Sequence, residues 1–486
     1  MMRMNTDKFL RTSAAVFLFL LIPVWISAEA TNYTYNYDYW AEEVASPDAY
    51  WVSDYLLGSA FRIGNFSDPQ GMFVRGSRIY VCDSGNNRIV QLEYKNNEYE
   101  VRAVVESVEI DGIESPFKYP MDLFEGPDGD LYICDTNNQR ILHLDREWNY
   151  ISSILKPTDQ SIETTAEFLP TKMVVDFAGR VFVQARNVNK GLMEFDRNGS
   201  FTGYMGANKV EVNPIDYVWK MISTKAQRAS MNLFIPTEYN NVSLDHEGFI
   251  YVTNSSGQTD MVRRLNAMGQ DILIRNGYGD PEGDVYWGTA GGISGPSKFI
   301  DVAPMDNDAY ACLDRVRRRI FIYDFQGNLL YAFGGVGNRK GYFIQPSAIE
   351  TMGDSLFVLD SRSAAITRFD LTAYGTLINT ALREYHAGRY ESSAESWEEV
   401  LKMNGNYDLA YIGIGRAALR QGEFQKAMKY YKLKHYREGY GKAFQFYRKQ
   451  WMEENLWKIL LVLLILIAVP PFVKFILRIR KEVREA

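Results

Sequence analysis

A ten-residue stretch occurs twice in this chain. Tyr80-Val81-Cys82-Asp83-Ser84-Gly85-Asn86-Asn87-Arg88-Ile89 returns 52 residues later as Tyr132-Ile133-Cys134-Asp135-Thr136-Asn137-Asn138-Gln139-Arg140-Ile141. Each copy is a short apolar strand, a turn of small and amide residues, and the start of a second strand, a unit too small to bury its own faces. Units of this kind at a period of roughly 40 to 50 residues close into a ring, the β-propeller. The repeat extends beyond these two copies. Pro69, Pro120, Pro170, Pro236, Pro296 and Pro346 each open an apolar strand, at spacings of 51, 50, 66, 60 and 50. A second strand is expected over residues 79–81, 131–133, 181–183, 249–252, 309–311 and 356–358, after turns such as Asp128-Gly129, Ala178-Gly179 and Glu247-Gly248 that suit tight hairpins. The expected fold is mainly β, with six units.

The recurring polar residues have a structural explanation. An aspartate at a strand end accepts hydrogen bonds from the following turn, and asparagine tolerates the left-handed backbone such turns require. The arginine can then reach a carboxylate or carbonyl of the adjoining hairpin. Asp83, Asn86, Arg88, Asp135, Asn138 and Arg140 therefore read as parts of the repeat before they read as ligand contacts. The pattern of a Pro-led strand, a Gly turn and Asp-x-x-Asn-x-Arg-Ile resembles the NHL-repeat family of β-propellers. Asp314 to Ile320 and Asp360 to Ile366 keep the spacing, whereas the third unit has Ala185 for the aspartate and the fourth has Asn254 before a longer loop.

A second repeat follows with a helical period. Gly388, Tyr390, Ser393 and Trp397 return as Gly422, Phe424, Ala427 and Tyr431, each shifted by 34 residues. This is the tetratricopeptide period, in which small and aromatic residues at fixed places pack paired antiparallel helices. About two such units fit, fewer than the three usually needed for independent stability, so the module is expected to lean on the propeller, the membrane or a partner.

Both ends of the chain concern membranes. Arg3, Lys8 and Arg11 precede an apolar run over residues 14–26, and Ser27-Ala28-Glu29-Ala30 supplies small residues in the spacing of a cleaved signal peptide. Residues 456–477 hold a charge-free apolar core followed by Lys474, Arg478, Arg480, Lys481 and Arg484. At about 1.5 Å per residue such a helix spans the roughly 30 Å of a bilayer core. The basic tail is expected in the cytoplasm, and Pro470-Pro471 is expected to kink the helix.

The domain reading is accordingly a signal peptide (1–30), a six-bladed NHL-type propeller (31–372), a tetratricopeptide-like all-α module with connector (373–455), one transmembrane helix (456–477) and a basic cytoplasmic tail (478–486). This combination resembles bacterial membrane-anchored NHL-repeat proteins. The resemblance implies a single-pass cell-membrane protein with an extracytoplasmic binding or scaffolding role, near envelope or carbohydrate-uptake machinery, and it supplies no catalytic residues.

Composition and residue types sharpen the functional reading. A formal net charge of −7 argues against nucleic acid as a partner, because phosphate binding needs a basic face. Cys82, Cys134 and Cys312 fall at related strand positions and read as small core residues, not a disulfide frame. His143 and His246 are the propeller's only histidines, so a three-histidine zinc site is not available to it. An oxygen-ligand calcium site from Asp135, Asp245 or Asp301 has no spacing to recommend it. No cofactor and no catalytic residue is expected, and the alternative is a metal-dependent propeller hydrolase or lyase acting on a sugar or lactone.

Two insertions lengthen the gaps between units. One covers 216–231, where a short helix is expected. The other is rich in glycine, acid and aromatic residues, and from it Tyr278, Asp280, Glu282, Asp284, Tyr286 and Trp287 are the candidate ligand-binding residues. Aromatic rings there could stack on sugars or peptide side chains while carboxylates accept hydroxyl hydrogen bonds. Arg315, Arg317 and Arg318, beside Arg319, form a basic candidate for an anionic polymer or an acidic partner. The expected partners are a protein or glycan at the cell surface, the membrane through the last helix, and a membrane protein docking on the helical module.

Overall fold

The computed structural model describes residues 34–40, 42–159, 162, 167–207, 238–254, 260–277, 279–285 and 295–485. The signal-like segment, the 216–231 insertion and Pro236 lie outside the described residues, as do Tyr278, Tyr286 and Trp287 of the candidate loop.

Six antiparallel blades form the ring. Their innermost strands are Gly71–Arg75, Pro120–Glu125, Pro170–Val175, Tyr239–Leu244, Phe299–Pro304 and Pro346–Met352, and each packs beside the next until the sixth meets the first. The expected second strands are all present, from Arg78–Asp83 to Ser355–Asp360. Their alternate residues are buried between neighbouring blades, as Ile79, Val81, Ile133 and Val183 are. Cys82, Cys134 and Cys312 are free, buried thiols, and burial pushes all three above the usual thiol range.

The repeat motif closes each hairpin. Asp83 accepts from the Ser67 amide (2.7 Å), the Asn86 side chain (2.8 Å) and the Arg88 guanidinium (2.7 Å). Asp135 repeats this with Lys118, Asn138 and Arg140 at 2.7, 2.8 and 2.8 Å. The next hydroxyl links neighbouring blades: Ser84 donates to the Pro120 carbonyl and Thr136 to that of Pro170, at 2.6 and 2.7 Å.

The ring is shut by a strand from before the first repeat. Tyr50–Leu57 pairs antiparallel with Ala365–Leu371, from Leu57 opposite Ala365 to Tyr50 opposite Leu371, and so supplies the outer strand of blade six. Arg368 fastens the seam, lying 3.5 Å from Asp54 and 2.9 Å from Asp370. An earlier hairpin, Tyr35–Tyr37 with Glu43–Ala45, extends blade five to six strands.

Five helices follow: α1 (Ala373–His386), α2 (Tyr390–Met403), α3 (Asp408–Arg420), α4 (Phe424–Leu433) and α5 (Arg437–Glu485). The 34-residue pattern marks their contacts. Ser393 and Ala427 are fully buried, Trp397 packs on Gly413 and Tyr431 on Gly415, and a Cβ on either glycine would come within 2.8 Å of the ring. The module shares one apolar core with blades five and six. Tyr407 donates to the Leu330 carbonyl (2.9 Å), Arg383 pairs with Asp354 (2.9 Å), and Thr372 Oγ1 caps α1 while donating to the Asp48 carbonyl (2.6 Å). Of the three supports expected for a short helical repeat, the propeller is the one observed.

Helix α5 is continuous from the module through Pro470-Pro471, where two backbone donors are missing. Its apolar stretch is unburied by the rest of the chain, and it is long and apolar enough to cross a membrane.

Candidate binding site

The candidate loop is built onto blade five. The Gly283 amide donates to the Tyr323 hydroxyl (2.9 Å), and the Asp284 amide to Ser297 Oγ (3.0 Å), which itself donates to Asp314 (2.8 Å). Gly283 has φ near 66°, and a Cβ there would stand 2.7 Å from Ser297. The loop is thus fixed by backbone as well as by side chain.

Asp284 is 3% exposed and collects donors from three directions. Tyr35 donates to it at 2.7 Å, Tyr37 donates as well, and the Arg317 and Arg319 guanidinium groups lie 3.4 and 3.2 Å away. Burial, reinforced by this carboxylate, pushes the Tyr35 phenol well above its usual value. For Tyr37, burial and then the charges of Tyr35 and Asp284 act in the same direction. Two positive groups facing one buried carboxylate make Asp284 the anchor of the site. Asp284 also lines a cavity of about 490 Å³, together with Asp280 and Glu282 of the same loop. Its other walls include Tyr37 and Glu43 from the first hairpin, Tyr323 from blade five and Leu409 from α3.

The arginine cluster divides between two environments. Arg315 is exposed, and Arg318 takes a left-handed turn conformation (φ 56°). Arg317 is 8% exposed and turned inward. Arg319, at the motif's arginine position, reaches Tyr35 and Asp284.

A second polar site lies in the central channel. Asp122, Lys172, Asn241 and Asp301 occupy one register position, each just after the irregularity that follows the first residue of its inner strand. The corresponding residues in blades one and six are Gly71 and Ala348. The channel cavity holds about 370 Å³ and is lined by these four polar residues and Glu350. Lys172 Nζ is 3.3 Å from Asp122. Asp122 also accepts from the Met173 amide, and Asp301 accepts from the amides of Val302 and Ile349 and from the Asn241 side chain. Burial alone would lower the Lys172 ammonium, but Asp122, Asp301 and Glu350 outweigh it and hold the group above its usual range. Burial raises Asp301 to about 6, and burial with the Asp301 charge raises Glu350 well above the usual carboxylate range.

This channel does not fit a divalent metal. The ammonium of Lys172 already faces the carboxylates, and Asp122 and Asp301 are occupied by main-chain donors. Asp135 is held in its blade-two clamp. Asp245 accepts from the Glu247 and Phe249 amides at 3.0 and 2.9 Å and pairs with Arg264. His143 stacks on Tyr132 and bonds Asp130 at 2.9 Å. Among the described residues no group of three or more His, Cys, Asp or Glu stands where it could hold a metal ion.

Of the channel residues the sequence reading singles out Asp301 alone; Asp122, Lys172, Asn241 and Glu350 escape it, and the recurrence of a charged or amide residue two positions into four inner strands shows only once the strands are known to start at Pro120, Pro170, Tyr239 and Phe299.

Comparison with known proteins shows no family for this chain. No family model matches the chain, and no curated protein matches it. Among solved structures, virginiamycin B lyase from Staphylococcus aureus aligns at 11% identity and TM-score 0.40, over 66% of this chain and 100% of that one. Hydrazine synthase from Kuenenia stuttgartiensis aligns at 13% and 0.40, over 64% and 97%. The RRP9 WD40 repeats align at 10% and 0.42, over 67% and 99%. At these values the likenesses carry no argument about activity.

Proposed function

We propose that this protein is a membrane-anchored extracytoplasmic binding or scaffold protein of the NHL-repeat type, with a tetratricopeptide-like module between propeller and anchor. The observation that carries this reading is the 490 Å³ cavity walled jointly by the propeller, the amino-terminal hairpin and α3. It is pre-formed, because Asp284 and its four partners hold its walls together. Acids, aromatic rings and a mixed polar lining suit a protein or glycan ligand carrying hydroxyl or basic groups. The shared core of module and blades would hold this cavity at a fixed distance from the bilayer.

Five Lys and Arg residues lie between Arg437 and Lys458, and five follow from Lys474. The count of flanking positive charge is therefore even, and the outward orientation rests on the signal-like amino terminus. Lys172 in the channel supports a non-enzymatic role over a metal-dependent hydrolase or lyase.

The test is crosslinking in intact cells with a photoreactive residue at Val285, which is 60% exposed beside the cavity. Capture of one protein or glycan that disappears in Asp280→Asn/Glu282→Gln and persists in Arg315→Ala is the expected result. Capture unchanged by the double variant would remove the cavity from the function, and protection of the blades from protease added to whole cells would reverse the orientation.

A further inference from the structure

The cavity between blade five, the amino-terminal hairpin and α3 carries hydrogen-bonding groups that the chain itself does not answer. Tyr323 is 2% exposed, and its hydroxyl accepts from the Gly283 amide at 2.9 Å. Among the described residues no acceptor meets the hydroxyl proton. Asn328 is 7% exposed, and its side-chain nitrogen donates to both carboxylate oxygens of Asp324, at 3.2 and 2.9 Å. That pairing fixes the amide, because the reverse orientation would set its oxygen against a carboxylate. Among the described residues no donor reaches Asn328 Oδ1. Asp280 is exposed in the same lining, and its carboxylate accepts from no described donor.

These groups select a ligand by the sense of their hydrogen bonds. Glu43, Asp280, Glu282 and Asp284 put carboxylates in the lining, which among the described residues holds no Lys, Arg or His. Arg317 and Arg319 face Asp284 from outside that lining. An anionic ligand is therefore repelled. A lysine ammonium or an arginine guanidinium has donors and no acceptor. Either would serve Asp280 and Asn328 but leave the Tyr323 proton unmet in a buried wall, which costs binding energy. A hydroxyl group both donates and accepts. Neighbouring hydroxyls of one sugar ring meet all three groups, and Tyr37, Leu329 and Leu409 give its C–H face an apolar wall. The cavity's 490 Å³ falls within the roughly 300–1,000 Å³ of small-ligand pockets, a size for the end of a glycan chain and not for a folded partner.

We infer that this cavity binds a neutral sugar, held through its hydroxyl groups by Tyr323, Asn328 and Asp280. The inference rests on the binding role proposed above and narrows it to one ligand class.

The test is saturation-transfer NMR on the full chain in zwitterionic nanodiscs. The probes are four neutral disaccharides (cellobiose, maltose, lactose and N,N′-diacetylchitobiose), the anionic digalacturonate and the basic tripeptide Lys-Leu-Lys. Binding of at least one neutral disaccharide is expected, insensitive to salt and at least tenfold tighter than that of digalacturonate. Asp280→Asn should weaken it roughly tenfold and Tyr323→Phe about fivefold, the loss of one hydrogen bond each. Asp280 is exposed, so an unchanged melting curve for its variant separates lost binding from lost fold, whatever Tyr323→Phe does to the loop. Arg315→Ala should bind as the parent does. No binding of any neutral disaccharide, or affinities unaltered in both cavity variants, would overturn the inference. Tighter binding of Lys-Leu-Lys than of every sugar, weakened by salt and by Asp280→Asn, would also overturn it while leaving the cavity its binding role. Failure of that role itself is read separately, as capture at Val285 that ignores Asp280→Asn/Glu282→Gln.

Discussion

Blades two and five are built on one pattern and use it differently. In blade two the motif closes on itself. Arg140 answers Asp135 within its own hairpin, and the outer strand Tyr150–Ile154 ends the sheet at solvent, with Ile151 48% exposed. In blade five the aspartate keeps its local role, since Asp314 accepts from the amides of Lys298, Val316 and Arg317. The arginine does not. Arg319 leaves the hairpin for Tyr35 and Asp284, and the outer edge is covered by the amino-terminal hairpin and the helical module. A repeat needs its backbone clamp in every unit, but a clamp satisfied by main-chain donors releases the arginine for another task. Blade five became the hub by that release.

The comparison is broken most directly at Asp284. Replacing it with alanine leaves Arg317 and Arg319 facing each other in a largely dry site, a class of change that costs about 3–5 kcal/mol. The expected result for Asp284→Ala is a lower melting temperature and proteolytic release of the hairpin before Ala45. Arg140→Gln in blade two should weaken one hairpin and release nothing. If both variants merely lowered the melting temperature with the same fragments, the hub role of blade five would be wrong.

The inner end of the same blade offers a second comparison, with the sign set by Asp301. Its folded value of about 6 lies above the 3.8 of the unfolded chain, because burial disfavours the ionised form. Above pH 6 the fold must hold an unfavourable charge. As pH falls from 6 toward 3.8 the folded state takes up a proton that the unfolded chain does not yet hold, so this group's contribution rises, by on the order of 2–3 kcal/mol over the window. Denaturant melts between pH 7 and 4 should show this gain as a component that Asp301→Asn removes. Identical slopes for the parent and variant would mean that Lys172 keeps the site ionised throughout.

The blades were legible because hairpins are local. Proline before a strand, glycine in a turn and aspartate at a strand end act within a dozen residues, and Asp135-Thr136-Asn137-Asn138 spells its own conformation. The helical pair was legible for a similar reason, since Trp397 on α2 and Tyr431 on α4 each need a small residue on α3, the helix between them, and find Gly413 and Gly415. Ring closure was not legible from the repeat. Tyr50–Leu57 lies more than 300 residues from its partner strand, and its only signal was a sixth unit that ran into α1 one strand short. The anchoring role of Asp284 was hidden for the same cause. Acid and aromatic residues look alike whether they face solvent or, as with Tyr35 and Asp284, meet across 249 residues.

The smallest expected effect lies at the outer end of blade five, where the hub meets the helices. His386 on α1 sits 3.2 Å from Asp308 of the blade-five hairpin, with its ring edge-on to Phe325. Burial, partly opposed by the Asp308 charge, places the folded imidazole below its usual 6.5. The fold therefore favours the neutral ring. Its contribution is complete above pH 6.5 and is lost as pH falls toward the folded value, because the unfolded chain takes its proton first. This slope is opposite to that of Asp301 in the same blade, and the two can be separated by variant. His386→Gln should flatten the loss below pH 6.5 while leaving the Asp301 gain intact, read as hydrogen exchange in α1 against pH. A loss that persists in His386→Gln would place the acid sensitivity elsewhere, and blade five would differ from blade two in its contacts but not in its response to protons.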